Sequence, residues 1–356
     1  MMVRDTLGCG KCRGLPIDRR WTFFGPLFLP RHERLIHLHH SFLPVFIPIL
    51  LRQHVLLIMV LYMVGLGLGD EDDITVKGFK VVQSCDVVFL EAYTSVLGVD
   101  KERLEQVYGK SITVADRDLV EQQAEDLILE PAVEQKVAFL VVGDPVCATT
   151  HTDLWLRARQ RKIEVHVIHN ASIMGAAGAT GLQLYNFGHT VSIPFFDEKW
   201  RPTSFYPKIK YNRQGGMHTL CLLDIKVKEP DFQAMMRGQT KYLPPRFMSV
   251  NTAAEQLLEA ENETHKENVY DGKKTLCVGL ARMGQETQQI VAGTLEELLT
   301  VDFGAPLHSL IICGELHDLE LEVLKEYLIE GSSYQQADGC LSSSPSAVSS
   351  TDTAQA

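Results

Sequence analysis

From residue 60 onward the chain alternates short apolar runs with stretches whose apolar positions recur at helical spacing. Residues 61–66, 87–90, 137–142 and 164–168 are runs of strand length, and 75–85, 101–108, 118–130 and 152–162 carry helical patterns between them. Strands alternating with helices need crossover connections, which predict a parallel sheet of about five strands. After about Ala171 the rhythm changes: strand candidates at 190–195, 218–224, 275–281, 288–292 and 308–312 are interrupted by helical patterns only at 204–213 and 249–261. Without strict alternation a mixed sheet is expected there. The sequence therefore divides into an α/β domain over 59–170, a second α/β domain over 171–330, and flanking segments at 1–58 and 331–356.

Composition sharpens those limits. Residues 1–58 hold eight Lys/Arg against three Asp/Glu and five of the 13 histidines, whereas the rest holds 26 basic against 42 acidic residues. Within that segment the apolar stretch 42–51 is ten residues long, contains Pro44 and Pro48, and ends at Arg52. A spanning helix needs about 20 apolar residues, so no membrane anchor is expected. The extension is read as an atypical start outside the fold, with Met59 opening the functional protein. Residues 331–356, rich in Ser and lacking apolar period, read as a disordered tail. The formal net charge of −11 argues against nucleic-acid binding, which needs clustered cations. Most of the eight cysteines sit singly in apolar runs and read as buried thiols; Cys9 and Cys12 have metal-ligand spacing but no second pair to complete a site, so no metal is expected. Asn170-Ala-Ser172 and Asn262-Glu-Thr264 match a glycosylation pattern that matters only in a secreted chain.

The most suggestive motif is Gly65-Leu-Gly-Leu-Gly69-Asp70 at the end of the first strand. It invites a dinucleotide reading, and Glu91, at the end of the next strand, falls near the place of a ribose-binding acid. The spacing excludes it: the third glycine comes one residue early, and Asp70-Glu-Asp-Asp73 places four carboxylates where a pyrophosphate would need amide donors. An uncharged adenosine or a sulfonium could still approach such a turn, with Asp72 or Asp73 as N-cap of the following helix.

In order along 59–315 stand Leu61-Tyr-Met-Val-Gly-Leu-Gly-Leu-Gly-Asp70, Phe89-Leu-Glu-Ala-Tyr-Thr-Ser95, Val141-Val-Gly-Asp-Pro145 with Ala148-Thr-Thr-His151, His169-Asn-Ala-Ser-Ile173, Met217-His-Thr-Leu-Cys-Leu-Leu-Asp224 and Pro244-Pro-Arg-Phe-Met-Ser-Val250. This set resembles the eukaryotic diphthine synthases, or diphthine methyl ester synthases, of the tetrapyrrole-methylase-like methyltransferases. The resemblance implies a parallel-sheet N-terminal domain and a mixed-sheet C-terminal domain with a cofactor cleft between them. It implies S-adenosyl-L-methionine as cofactor and methylation of the amino group and carboxylate of a modified histidine on elongation factor 2, in diphthamide biosynthesis. It also implies a cytoplasmic setting and admits a homodimer.

Matched motif by motif, the family's cofactor contacts fall on Leu68, Asp144, Cys147, Ser172, Ile173, Leu223, Met283 and His308. Cys147 departs from the familiar glycine, a change tolerable only where the local φ is negative. Asp144 is expected to accept hydrogen bonds from the cofactor, against the simpler reading of an Asx turn before Pro145. Leu68, Leu223 and Met283 would pass for core on pattern alone, Ser172 and Ile173 for a helix start. His308 and His151 are read as structural histidines until the resemblance raises His308 to a cofactor contact. Arg201, Lys208, Lys210 and Arg213 read first as a solvated face and second as a docking patch. No residue demands a general-base role. Two other readings stay open on residues alone: a methyltransferase of the same fold acting on a tetrapyrrole or other small molecule, and a non-catalytic protein that binds the elongation factor.

Overall fold

The computed structural model describes residues 60–334. The extension over 1–58, the start at Met59, the Cys9 and Cys12 pair and the tail beyond 334 lie outside the described residues.

In the first half, β1 (Val60–Gly65), α1 (Val76–Ser84), β2 (Val87–Glu91), α2 (Lys101–Tyr108), β3 (Thr113–Ala115), α3 (Arg117–Gln122), β4 (Lys136–Val141), α4 (Thr152–Gln160) and β5 (Glu164–Ile168) follow in turn. Their strands form one wholly parallel sheet in the order β3-β2-β4-β1-β5. Strand residues point alternately to the two faces. In β4, Val137, Phe139 and Val141 enter one apolar cluster with Leu154 and Ala158 of α4, while Ala138 and Leu140 enter another with Val82, Leu104 and Tyr108. Burying Val137, Phe139, Leu140 and Val141 stabilises the fold by about 1.5–3 kcal/mol each. The chain leaves β1 across β4 towards β2 and leaves β4 across β1 towards β5, so the loops after these adjacent strands meet side by side at the carboxyl edge of the sheet, the edge where open α/β sheets place ligands.

Two details differ from the sequence reading. The helix expected over 118–130 breaks after Gln122 and resumes as one wide turn at Glu125–Leu129, with the Glu130 amide bonded to Glu125 O. The N-cap of α1 is Thr75, whose Oγ1 accepts from the Gly78 amide, so neither Asp72 nor Asp73 fills that role.

The second half runs α5 (Ile173–Ala176), β6 (Val191–Ile193), α6 (Tyr206–Gln214), β7 (Thr219–Leu223), β8 (Ile225–Lys226), α7 (Phe232–Met235), β9 (Arg246–Phe247), α8 (Val250–Glu259), β10 (Leu276–Ala281), β11 (Gln289–Thr294), β12 (His308–Ile312) and α9 (Asp318–Leu324). Its main sheet has the order β11-β10-β12-β7-β6 and is mixed, because only β6 and β7 are parallel. The short β8–β9 hairpin stands apart from it and was not expected. Among the described residues no helix is long and apolar enough to cross a membrane.

Residues 331–334, assigned to the tail by composition, are tied back to the second domain. Glu297 accepts hydrogen bonds from the Thr294 amide, the Ser333 amide and the hydroxyls of Ser332 and Ser333. Burial acts to raise its carboxyl, but these donors outweigh it and hold the pKa at about 2. The folded pKa lies below the unfolded value of about 4.3, so the stabilisation is complete above that value and is lost as pH falls through about 2. In urea titrations, the stability gap between the wild type and Glu297→Gln is expected to close over that window. A gap independent of pH would refute the assignment.

Candidate functional site

The loops after β1 and β4 are stitched to each other: the Gly67 amide donates to Gly143 O and the Gly143 amide to Gly67 O, at 3.2 and 2.7 Å. Gly67 has φ +83°, and a Cβ there would stand 2.6 Å from Asp73 Cβ. Asp73 explains both the turn and the exclusion of phosphate. Its Oδ2 accepts the amides of Leu68 at 3.1 Å and Gly69 at 2.7 Å, so donors that an anion would need are already occupied by a carboxylate of the protein. Glu91 is not a ribose ligand either. It is 1% exposed, and its two oxygens accept the Tyr93 and Thr94 amides and the Thr94 hydroxyl. Burial pushes its carboxyl up despite those bonds. Its work is to shape the Thr94-Ser95 turn.

Asp144 stands at the carboxyl end of β4, 3% exposed. Oδ1 accepts the Val146 amide at 2.9 Å, which is the Asx turn before Pro145; Oδ2 accepts the Asn170 amide at 3.1 Å and meets His169 Nδ1 at 2.8 Å. Burial would raise its pKa, but the Val146 amide, the His169 ring and the Asn170 amide prevail and the net shift is downward. Asn170 continues the tie: its Nδ2 donates to Gly65 O and Asp73 O, so this asparagine of the glycosylation pattern is engaged inside the fold. One carboxylate and one amide thus join the ends of β1, β4 and β5.

Above this frame lies a cleft of about 950 Å³, open solvent included. The first domain lines it with Leu68 from the glycine turn and Cys147 from the loop after β4, and Ser172 and Ile173 join them from the start of α5, where the second domain begins. The second domain adds Leu223 at the end of β7, Met283 from the turn after β10, and His308 at the start of β12. Seven of the eight expected positions therefore converge on one space. Asp144 is the exception: it lies behind the lining, with both oxygens occupied.

Cys147 is not strained, because the positive φ angles in this loop fall on Gly143, at 81°, and Ala148, at 57°. Burial, then the neighbouring Asp144 carboxylate, raises its thiol pKa and keeps it neutral. His308 places Nε2 3.0 Å from Ala305 O. A carbonyl can only accept, so Nε2 carries the proton and Nδ1 presents a lone pair; Nδ1 is buried without a hydrogen-bond partner among the described residues. Burial is the main cause that lowers the His308 pKa, which favours this neutral ring. His151, by contrast, is 1% exposed and packed edge-on against Phe139 and Tyr93, with its pKa held to about 4 by burial. It is a core residue outside the lining.

Three of the four cations are engaged within the chain. Arg201 pairs with Glu259 and Lys210 with Glu267, and Arg213 donates to the Cys313 and Val269 carbonyls; Lys208 is left exposed. Sequence reasoning missed several lining residues, including Thr94, Phe247, Arg282 and Leu307. Thr94 and Phe247 lay inside motifs that carried the resemblance, and no local pattern marks the other two. Arg282, itself at φ 49°, spends its guanidinium on the Phe303, Ala305 and Thr287 oxygens, fixing the loop that leads into His308.

Comparison with known proteins agrees with this architecture. The tetrapyrrole (corrin/porphyrin) methylase family matches residues 60–299. The chain is 56% identical over 274 residues to the diphthine methyl ester synthase of Dictyostelium discoideum, covering 76% of this chain and 99% of that protein. It is 58% identical over 281 residues to the diphthine methyl ester synthase of Homo sapiens, covering 78% and 98%. A crystal structure of diphthine synthase matches with a TM-score of 0.65 at 33% identity, covering 76% of this chain and 98% of that one. The chain belongs to the tetrapyrrole methylase family and, within it, to the diphthine methyl ester synthases, the methyltransferases of diphthamide biosynthesis.

Proposed function

We propose that the cleft binds S-adenosylmethionine and that the chain, acting in the cytoplasm, methylates the amino group and carboxylate of the modified histidine on elongation factor 2. The observation that carries this reading is the convergence of Leu68, Cys147, Ser172, Ile173, Leu223, Met283 and His308, drawn from both halves of the chain, on one cleft. The residues suit such a group. Leu68, Ile173, Leu223 and Met283 offer apolar walls, and the unpartnered His308 Nδ1 offers a buried acceptor for an amino or hydroxyl donor.

When bound, S-adenosylmethionine supplies a methyl group on a sulfonium, so no side chain has to protonate a leaving group. What remains for the chain is orientation and exclusion of water. Asp144 and Asn170 hold the first-domain wall, Glu91 sets the Thr94-Ser95 turn, and Arg282 sets the loop before His308. An amine acceptor must be neutral to attack. Of the titratable groups nearest the cleft, Asp144 has donors on both oxygens, and the open lone pair of His308 Nδ1 is assigned to the cofactor, so neither is left to take the proton. The amine then loses its proton to solvent before the cleft closes over it.

Calorimetry with S-adenosylmethionine tests the cofactor, and transfer of labelled methyl to elongation factor 2 bearing the 3-carboxy-3-aminopropyl histidine precursor tests the acceptor. Binding without transfer would leave a methyltransferase of another substrate; no binding would remove the reading altogether. His308→Phe keeps a planar ring but removes the acceptor. It is expected to weaken S-adenosylmethionine about five- to tenfold, the value of one hydrogen bond, with little change in melting temperature. Unchanged affinity would take His308 out of the site.

A further inference from the structure

Between β8 and β9 the chain projects as a flap. Every residue from 235 to 246 is exposed, among them four large apolar side chains: Met235 at 51%, Met236 at 83%, Tyr242 at 46% and Leu243 at 42%. Leaving these in water forgoes the stabilisation that burial would bring, and clustered exposure of this kind marks interaction surfaces. The flap is also basic within an acidic chain. It carries Lys226, Lys228, Arg237, Lys241 and Arg246 against Glu229 and Asp231, while the whole chain has a formal net charge of −11. Lys226 and Arg246 pair with Glu229, and Lys228 with Asp116; Arg237 and Lys241 form no ion pair among the described residues.

Its position is fixed at both sides of the cleft. At its root, Ile225 and Phe247 face each other in register and both line the cleft. Further out, Lys228 Nζ reaches Asp116 Oδ2 at 2.5 Å, at the N-cap of α3 in the first domain, and lies 4.8 Å from the centre of the Tyr242 ring. The flap therefore borders the mouth and is braced against both domains.

We propose that the exposed flap docks the body of the protein substrate, an apolar patch flanked by carboxylates receiving Met235, Met236, Tyr242 and Leu243 with Arg237 and Lys241. This rests on the reading that the acceptor is a side chain of a folded protein. Such a side chain cannot enter the cleft without its carrier meeting whatever borders the mouth, whereas a small-molecule acceptor needs no such surface. Methionines adapt to a partner's contour, and unpaired cations speed encounter with an acidic surface.

The test uses the full chain with elongation factor 2 bearing the precursor, comparing the wild type with Met236→Asp/Leu243→Asp and with Arg237→Glu/Lys241→Glu. Both variants are expected to raise KM for the protein substrate at least about tenfold, with kcat at saturation and calorimetric affinity for S-adenosylmethionine within about twofold. The effect of the charge variant is expected to shrink at high salt. Unchanged KM in both variants, with an active wild type, overturns the docking surface alone. A wild type that transfers no methyl to elongation factor 2 overturns the functional reading and the docking surface with it. If light scattering instead shows that the apolar variant converts an oligomer to a smaller species at unchanged KM, the surface belongs to a second copy and the proposal falls.

Discussion

Asp144→Ala is expected to lower stability by about 2–4 kcal/mol and to weaken S-adenosylmethionine binding by more than about tenfold. The sequence alone suggests a different result, loss of binding with the fold intact, because it treats the carboxylate as a ligand group. The structure places it 3% exposed, behind the lining, with the Val146 amide, the Asn170 amide and His169 Nδ1 on its two oxygens. Removing it takes the acceptor from two partly buried amides, those of Val146 and Asn170, and from His169, and frees the ends of β4 and β5 that lead to Cys147 and Ser172. Asp144→Asn keeps the volume but turns one oxygen into a donor facing other donors, so partial recovery at most is expected. A urea midpoint equal to that of the wild type, together with lost binding, would restore the direct contact. Loss of both together supports the frame.

Gly67→Ala tests the same frame from its other side. At φ +83° an alanine is strained by about 1–2 kcal/mol, and its Cβ would collide with Asp73 Cβ at 2.6 Å. Relief requires moving Asp73 off the Leu68 and Gly69 amides, so Leu68 leaves the cleft wall. The expected result is a loss of about 2–4 kcal/mol in stability and at least about tenfold in S-adenosylmethionine affinity. Gly109→Ala is the control for strain without collision: φ is +65° there and no atom lies within 4 Å of the added Cβ. That variant should be mildly destabilised with affinity unchanged. If Gly67→Ala binds as tightly as Gly109→Ala, the glycine turn is not part of the site.

The exclusion of a dinucleotide loop was legible from spacing and charge alone, but its mechanism was not. Four acidic residues in sequence look like repulsion; in three dimensions Asp73 is a hydrogen-bond acceptor that fills the turn. The same carboxylate was taken for a helix cap, a role that falls to Thr75. Both acceptors lie within reach of nearby amides, and one-dimensional reading cannot tell which turn each one closes. Cys147 shows the converse. A departure from a glycine motif looked like a source of strain, yet the left-handed residue is its neighbour Ala148.

What the sequence determined by itself was the alternation of elements, the parallel first sheet and mixed second sheet, and, through the resemblance, seven of the positions that line the cleft. Periodicity and ordered motifs are local properties, and resemblance carries whole motifs along with it. Only the tertiary structure decided that both Asp144 oxygens meet donors of the protein, that Glu91 braces a turn, and that His308 lines the cleft while His151 does not. It also decided that the β8–β9 flap borders the mouth. These depend on which donor or ring sits opposite a given side chain from a distant part of the chain, and burial and hydrogen bonding across such separations leave no trace in local pattern.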